Sequence, residues 1–472
     1  MKQILALLWI GSLALTLQAG EVVNDVTLLN PIAVDRVIVP HSIAEIVAAI
    51  KTAPGGVSIG GARHSQGGQI AEAHSLFLDM RQFNQVVAFD PTAKTITVQA
   101  GITWRDIQEK IDPYGLSVAI MQTYSNFTVG GSLSVNCHGR YVAAGPLILA
   151  VKRIKVVLAG GSVVEATPES HQDIFDSVIG GYGGIGVIVE ATLQLTTNTK
   201  VERHDRVMAI SQYRDYFLSQ VRDSPTAVFH NADIYPPKLD RVRAVTWSVT
   251  DQPVTNSNRL IGRRENYWTH RRMIWLISRM PWGKQLRQYV VDPLLYLSHP
   301  VVWRNHEASY DVAELEPNSR KYTTYVLQEY FVPVDRFDDF YPKIAAVLTR
   351  RHVNVLNISI RYARADPGSL LAWAKTDVFA FVLYYEQGTA EPDKLAVAQW
   401  TRELIDAVLS ENGSYYLPYQ IHATPDQFQR AYPRANEFFA LKQKFDPTDK
   451  FRNQLWDAYY PASAAGPLPP NR

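Results

Sequence analysis

A chain of 472 residues is long enough for two or three domains and a sizeable buried core. Its 46% hydrophobic and 19% charged residues exclude an intrinsically disordered protein, and a formal net charge of +2 is too small to recruit nucleic acid through its overall field. The single cysteine, Cys137, excludes any intrachain disulfide, so the core alone must stabilise the fold.

At the N-terminus, Met1-Lys2-Gln3 and the apolar run from Ile4 to Leu17 read as a signal peptide over residues 1–19, cut after Ala19. The run is short for a helix crossing about 30 Å of hydrocarbon, so the expectation is export to the periplasm or secretion rather than a membrane anchor. Ser42-Ile43-Ala44-Glu45 has the spacing of a capping box and predicts a helix to about Thr52. A strand is expected over Gly56 to Ile59, then a glycine-rich turn, strands over Gln85 to Phe89 and Thr95 to Gln99, and a helix from Thr103 to Ile111. Further strands are expected over Val151 to Leu158, Ser162 to Ala166 and Gly186 to Leu195, with a helix near Asp173 to Ile179. This pattern gives two small lobes of mixed helix and strand that meet at glycine-rich loops.

Beyond about Asn198 the segments lengthen, with strands over Tyr325 to Pro333 and Val378 to Tyr385 and a helix over Val397 to Ser410, which marks a separate domain. Within it, residues 259–297 mix basic side chains with Trp268, Trp275, Trp282 and Tyr289. That composition suits a solvated helical excursion with a packed aromatic side or a peripheral contact with a membrane surface. It is too charged to span a bilayer.

Three glycine-rich blocks carry the chemistry. The first is Gly60-Gly61-Ala62-Arg63-His64-Ser65-Gln66 behind a strand, where glycines let backbone amides turn toward an anionic group. It is not a Rossmann fingerprint, because no apolar-periodic helix follows at the required offset. The second runs from Thr128 to Gly139 and contains Gly130, Gly131, Ser132, Ser134, Asn136 and His138; the third contains Gly184, Gly186 and Ile188.

In this order the blocks resemble the FAD-binding, PCMH-type domain of the vanillyl-alcohol oxidase superfamily, most closely its alditol and sugar-lactone oxidases. The likeness covers about Ile32 to Thr197 and returns at Phe445 to Trp456. It implies an α+β fold: a two-lobed flavin domain over 22–197, an α+β substrate or cap domain over 198–444, and a segment 445–472 returning to the flavin domain. It also implies FAD as cofactor, no metal, and a covalent bond from His64 to the flavin, which suits a nucleophilic imidazole and a cofactor that must not be lost after export. Doubly tethered relatives add a cysteine ahead of the second block, and Tyr124 to Val129 contains none.

The second block is expected to wrap the pyrophosphate, with close backbone approach at Gly130 and Gly131 and hydrogen bonds from Thr128, Ser132, Ser134 and Asn136. His138, beside Gly139, is expected either to face the flavin or to be a structural histidine. Gly184, Gly186 and Ile188 would supply backbone contacts. In Ser359-Ile360-Arg361, Arg361 keeps the arginine of the polyol oxidases' Glu-x-Arg strand, where a fixed cation stabilises charge at the reacting edge, whereas Ser359 replaces the acid.

Around Gly413 to Gln420 the relatives place a basic residue, and here Gln420, His422, Tyr416 or Tyr419 must share the acid/base role. The same stretch also resembles the decaprenylphosphoryl-ribose oxidases. Three functions therefore stay open: oxidation of a CH–OH group of a small polyol, sugar or lactone with electrons passed to oxygen or another acceptor, oxidation of a lipid-linked sugar at a membrane, or a non-catalytic protein that retains the fold.

Overall fold

Ser42 Oγ accepts the Glu45 amide at 3.1 Å and caps the helix Ile43–Thr52, while Glu45 accepts the amide of His41, one residue ahead of the cap, at 2.9 Å, so the expected box is only half closed. The computed structural model describes residues 20–263 and 265–461, so the expected signal peptide lies outside the described residues. Ile46, Ala49 and Ile50 of that helix pack with Val57, Leu76 and Leu78 of a three-stranded parallel sheet ordered Arg36–Ile38, Leu76–Asp79, Val57–Gly60. The middle strand is buried along its whole length, as a central parallel strand requires. This is the first lobe.

The second lobe is an antiparallel sheet in the order Val163–Ala166, Val151–Leu158, Gly186–Thr197, Thr95–Gln99, Val86–Asp90, with Leu116–Val118 joining the far end of Gly186–Thr197. Thr103 and Asp106 cap the helix Trp104–Ile111, which buries Trp104 and Ile107 against this sheet. Between the lobes lies the short helix Val129–Ser134. A Cβ on Gly130 would come within 2.8 Å of Ala100 Cβ, so glycine lets this seam close.

After Thr197 the chain builds an eight-stranded antiparallel sheet, ordered Val301–Trp303, Lys200–Ala209, Arg241–Val249, Ala227–Ile234, Asn354–Ala363, Val378–Gly388, Thr323–Pro333, Ser414–Tyr415. Tyr213, Phe217, Phe337, Phe379 and Phe381 form an aromatic layer between this sheet and the helices Tyr213–Gln220 and Phe337–Arg350. The helix Glu391–Leu409 starts six residues ahead of its expected position, because Pro392 sits in the first turn, where its missing N–H costs nothing. Strand side chains alternate between faces, so the opposite face of this sheet is free to look onto the first two lobes.

The C-terminal segment returns to the first lobe. Val57 donates its amide to Lys450 O at 2.6 Å, Arg452 donates to Val57 O at 3.2 Å, and Asn453 Nδ2 donates to Tyr182 O at 2.8 Å. Lys442 anchors the return from a fully buried position, with Nζ 3.0 Å from Asp446 and 3.1 Å from Gly184 O. An unpaired lysine there would be untenable, and its two aspartates, Asp446 and Asp449, compensate the buried charge.

Residues 268–295 form consecutive helical pieces, Trp268–Arg279, Gly283–Leu286, the π-turn Arg287–Val291 and Asp292–Leu295. The expectation of a packed aromatic side is overturned: Trp268, Trp275, Trp282 and Tyr289 are all exposed. No helix among the described residues is long and apolar enough to cross a membrane.

Candidate active site

The parallel strand Val57–Gly60 delivers the chain into the turn at Gly61. Arg63 adopts a φ of 62°, a left-handed conformation that non-glycine residues rarely occupy, and is held there by its own side chain. Its guanidinium pairs with Asp79 at 2.9 Å and lies 5.0 Å over the Phe77 ring. This reversal places His64 in the wall of a cleft, its ring 4.2 Å from that of Phe127. Asn126 Nδ2 is 3.4 Å from His64 Nε2, whereas Nδ1 is buried without a hydrogen-bond partner. Burial disfavours the imidazolium and pulls the His64 pKa down to about 4, so near neutrality the ring is uncharged and Nδ1 is open to a bound group.

The cleft encloses about 1810 Å³, its open mouth included, and all three glycine-rich blocks reach it. From the first come Gly61, Ala62, Arg63, His64, Ser65 and Gln66; from the second Thr128, Gly130, Gly131, Ser134 and His138; from the third Gly186 and Ile188. A Cβ on Gly131 would meet only Thr128 Oγ1, at 3.1 Å, so this part of the wall is a cradle left open by glycine.

Six expected site residues do not line the cleft. Ser132 Oγ donates to Thr128 O at 2.8 Å and accepts from Trp104 Nε1 at 3.0 Å, which holds the helix rather than a ligand. Asn136, at φ 47°, donates to Asp366 at 2.7 Å and accepts the Ile148 amide at 3.0 Å, tying the second block to the cap domain. Gly60, Gly139 and Gly184 are glycines for close packing: a Cβ would strike the Phe77 ring, Met121 O and the Trp456 indole, respectively. Gln420 donates its side-chain amide to Gln66 O and braces the first turn, so it is not placed to receive a substrate proton.

The roof of the cleft is the free face of the eight-stranded sheet. Arg361 stands on Asn354–Ala363, Val382 on Val378–Gly388 and Glu329 on Thr323–Pro333, and all three line the cleft. Val382 pairs with both Ser359 and Glu329, so a carboxylate enters the cleft two strands across from the serine that replaces the expected acid. The Arg361 Nε is buried without a partner. Glu329 Oε1 lies 2.6 Å from His138 Nε2, and Glu329 Oε2 accepts from Tyr419 Oη at 3.2 Å. His138 Nδ1 lies 3.2 Å from Gly139 O. His138 is thus both a cleft residue and a structurally satisfied one. Burial and the neighbouring Glu329 hold the Tyr419 phenol well above its ordinary range, while the positive charge of Arg361 opposes that rise.

A second pair lies beside this chain. Burial raises the Tyr124 phenol, and the neighbouring Glu314 carboxyl is pushed up to about 7 chiefly by burial. Cys137 also reaches the cleft, but burial raises its thiol and leaves no reactive thiolate. Glu329, Tyr124 and Glu314 escaped the sequence reading. The available signal was a lone acid in the apolar strand Thr323–Pro333, on the same alternating face as Tyr325 and Leu327.

A planar, polar, ring-containing group fits this wall: His64 Nδ1, Thr123 Oγ1 and Arg361 Nε are buried polar atoms that the protein leaves unsatisfied, set among apolar side chains and the open glycine at 131. Residues 34–167 match the family model for the FAD binding domain. The chain carries a PCMH-type FAD-binding domain. Across most of its length it is similar to L-gulonolactone oxidase of Bos taurus, 21% identical over 424 residues that cover 88% of this chain and 91% of that protein. It is also similar to decaprenylphosphoryl-beta-D-ribose oxidase of Mycolicibacterium smegmatis, 21% identical over 420 residues, 85% and 88% of the two chains. L-galactono-1,4-lactone dehydrogenase of Arabidopsis thaliana is 26% identical over 177 residues, 38% of this chain and 28% of that one. FAD is the cofactor of this domain, and the wall residues Gly61, His64, Thr128, Gly131 and Ser134 are those that would hold it.

Proposed function

We propose that this protein oxidises a CH–OH group of a hydroxylated, sugar-like small molecule, with His64 bonded to its flavin and electrons passed on to oxygen or another acceptor. It is an FAD-dependent oxidoreductase. The observation that carries the reading is the convergence of Arg361, Tyr419 and Glu329 on the cleft that also holds His64. FAD, when bound, supplies the hydride acceptor. The chain's own part is to hold the substrate hydroxyl and remove its proton.

Tyr419, which lines the cleft, would receive the hydroxyl proton, and its own proton can pass to Glu329 Oε2 along the existing hydrogen bond. The substrate O–H and the original tyrosine O–H break, while a new tyrosine O–H and a carboxyl O–H form. With the phenol held so high, no free phenolate accumulates before the proton is received. His138 lies against the other carboxylate oxygen, and Arg361, which lines the same cleft, would stabilise negative charge as it develops. Anaerobic bleaching of the flavin by alditols, sugars or sugar lactones tests the reading.

The tether rests on the uncharged, unpartnered ring of His64. Digestion of purified protein is expected to yield the peptide containing His64 with the mass of one FAD less two hydrogens added, and His64→Ala protein is expected to release its flavin on acid precipitation. An unmodified His64 peptide from yellow, active protein would show that the flavin is held without a bond. Export rests on the apolar stretch Ile4 to Leu17, and an exported chain with Cys137 alone gains from a cofactor that cannot diffuse away.

A further inference from the structure

We propose that the helical segment Trp268–Leu295, whose exposed aromatic side chains and unpaired cation line a groove adjoining the cleft, is a docking surface for an anionic lipid bilayer. The proposal goes beyond the flavin chemistry and does not depend on it.

Exposed large apolar side chains elsewhere on the protein are scattered, as on any soluble surface, but here they cluster. Trp268, Trp275 and Trp282 are 54%, 49% and 53% exposed, and Tyr289, Leu294 and Leu295 are 62%, 64% and 60% exposed. The helix Trp268–Arg279 is seated on the sheet by Ile274, which packs on Tyr325, Leu356 and Tyr384, and by Arg271 Nε, which donates to Ala313 O at 2.7 Å. Its opposite side therefore faces outward by construction.

Charge selects the occupant. Residues 266–297 contain five Arg and Lys (271, 272, 279, 284 and 287) against one acid, Asp292, and that acid is buried. Arg279 is committed to Glu386 at 2.5 Å, Arg287 to Asp292 at 3.4 Å, and Lys284 donates to Asn354 Oδ1 at 2.9 Å. Arg272 has no carboxylate partner among the described residues; its guanidinium lies 5.0 Å over the exposed Trp268 ring. A second copy docking by two-fold symmetry would bring this cationic face against itself. An anionic headgroup layer matches it, and tryptophan and tyrosine, with apolar rings and polar edges, are the side chains that favour the headgroup boundary. At 12 residues the longest helix would reach about 18 Å, so the segment lies on the bilayer rather than through it.

The geometry also sets an orientation. Trp268, Arg272, Trp275 and Tyr322 line a surface groove, and its residues Pro317 and Tyr325 line the flavin cleft as well. Docking by this face brings Pro317 and Tyr325, which line the cleft, close to the lipid.

The test is co-sedimentation of the full chain with vesicles of phosphatidylglycerol and phosphatidylcholine, and with phosphatidylcholine alone. Binding to the anionic vesicles is expected, weakening at high salt as surface charges are screened. The double variant Leu294→Asp with Leu295→Asp should bind at least about tenfold more weakly, and Arg272→Glu should lose affinity only for anionic vesicles. Val163→Ser, exposed on the edge strand Val163–Ala166 of the second lobe, should bind as the parent does. The proposal is overturned if the parent does not sediment with anionic vesicles, if Arg272→Glu and the double variant both bind unchanged, or if light scattering shows a dimer that Leu294→Asp dissolves.

Discussion

Replacing Tyr419 by Phe is expected to slow anaerobic reduction of the flavin by about 10²–10⁴-fold, the usual worth of a positioned acid/base group. The substitution removes one oxygen and keeps the ring, whose centroid lies 5.9 Å from that of Tyr416 in an edge contact. The backbone carbonyl of Tyr419, which accepts from Gln69 Nε2 at 2.7 Å, is untouched, so the loop should hold its place. Folding should therefore be nearly unchanged while the proton route is cut. Glu329→Gln supplies the control: it keeps the shape but cannot take the proton, and it leaves His138 Nε2 opposite an amide instead of a carboxylate. Stopped-flow reduction separates the cases. A reduction rate in Tyr419→Phe within a factor of a few of the parent would remove Tyr419 from the proton path.

Arg361→Ala should cost about 10²–10³ in the same rate, the typical loss when a charge donor aimed at a reacting centre is deleted. Arg361 stands opposite Ala380 in a central strand pair, and its Nε is buried with no protein acceptor, so the fold gains little from the guanidinium itself. Such a buried donor is held at a cost that a ligand can recover. Arg361→Lys should rescue only part of the rate, because a point charge on a flexible stem does not reproduce the planar fork. A second readout separates chemistry from structure: loss of a nearby cation should lower the flavin's midpoint potential. If both rate and potential stay put while the denaturation midpoint falls, Arg361 is a structural residue.

The two glycine-rich loops around His64 and Gly131 and the helix starts at Ser42 and Thr103 were legible because local rules set them: capping spacing, turn residues and a strand before the turn. What the sequence could not show was which way a polar side chain points once the lobes close. Ser132 and Asn136 look like ligand donors in a glycine-rich block, yet both spend their hydrogen bonds on the protein, Asn136 on Asp366 some 230 residues away. Glu329 is the reverse case. Its partner His138 lies 191 residues earlier and the strand carrying Arg361 enters the sheet later, so only the finished register brings a carboxylate into the cleft, two strands across from Ser359. Gln420 is hidden for the same reason, since its bond to Gln66 spans 354 residues. The basic, aromatic segment 259–297 gave its composition but not its exposure, which depends on how Ile274 seats the helix.

The central claim is that this cleft takes a hydride and a proton from a hydroxyl-bearing carbon, and anaerobic spectroscopy of the bound flavin tests it most directly. On mixing with alditols, sugars and sugar lactones in the absence of oxygen, at least one is expected to bleach the oxidised flavin band by one two-electron equivalent, with deuterium at the reacting carbon slowing the bleach. A flavin that chemical reductant bleaches readily, but that no hydroxylated substrate bleaches, would contradict the account and mark the cleft as a binding site without this chemistry.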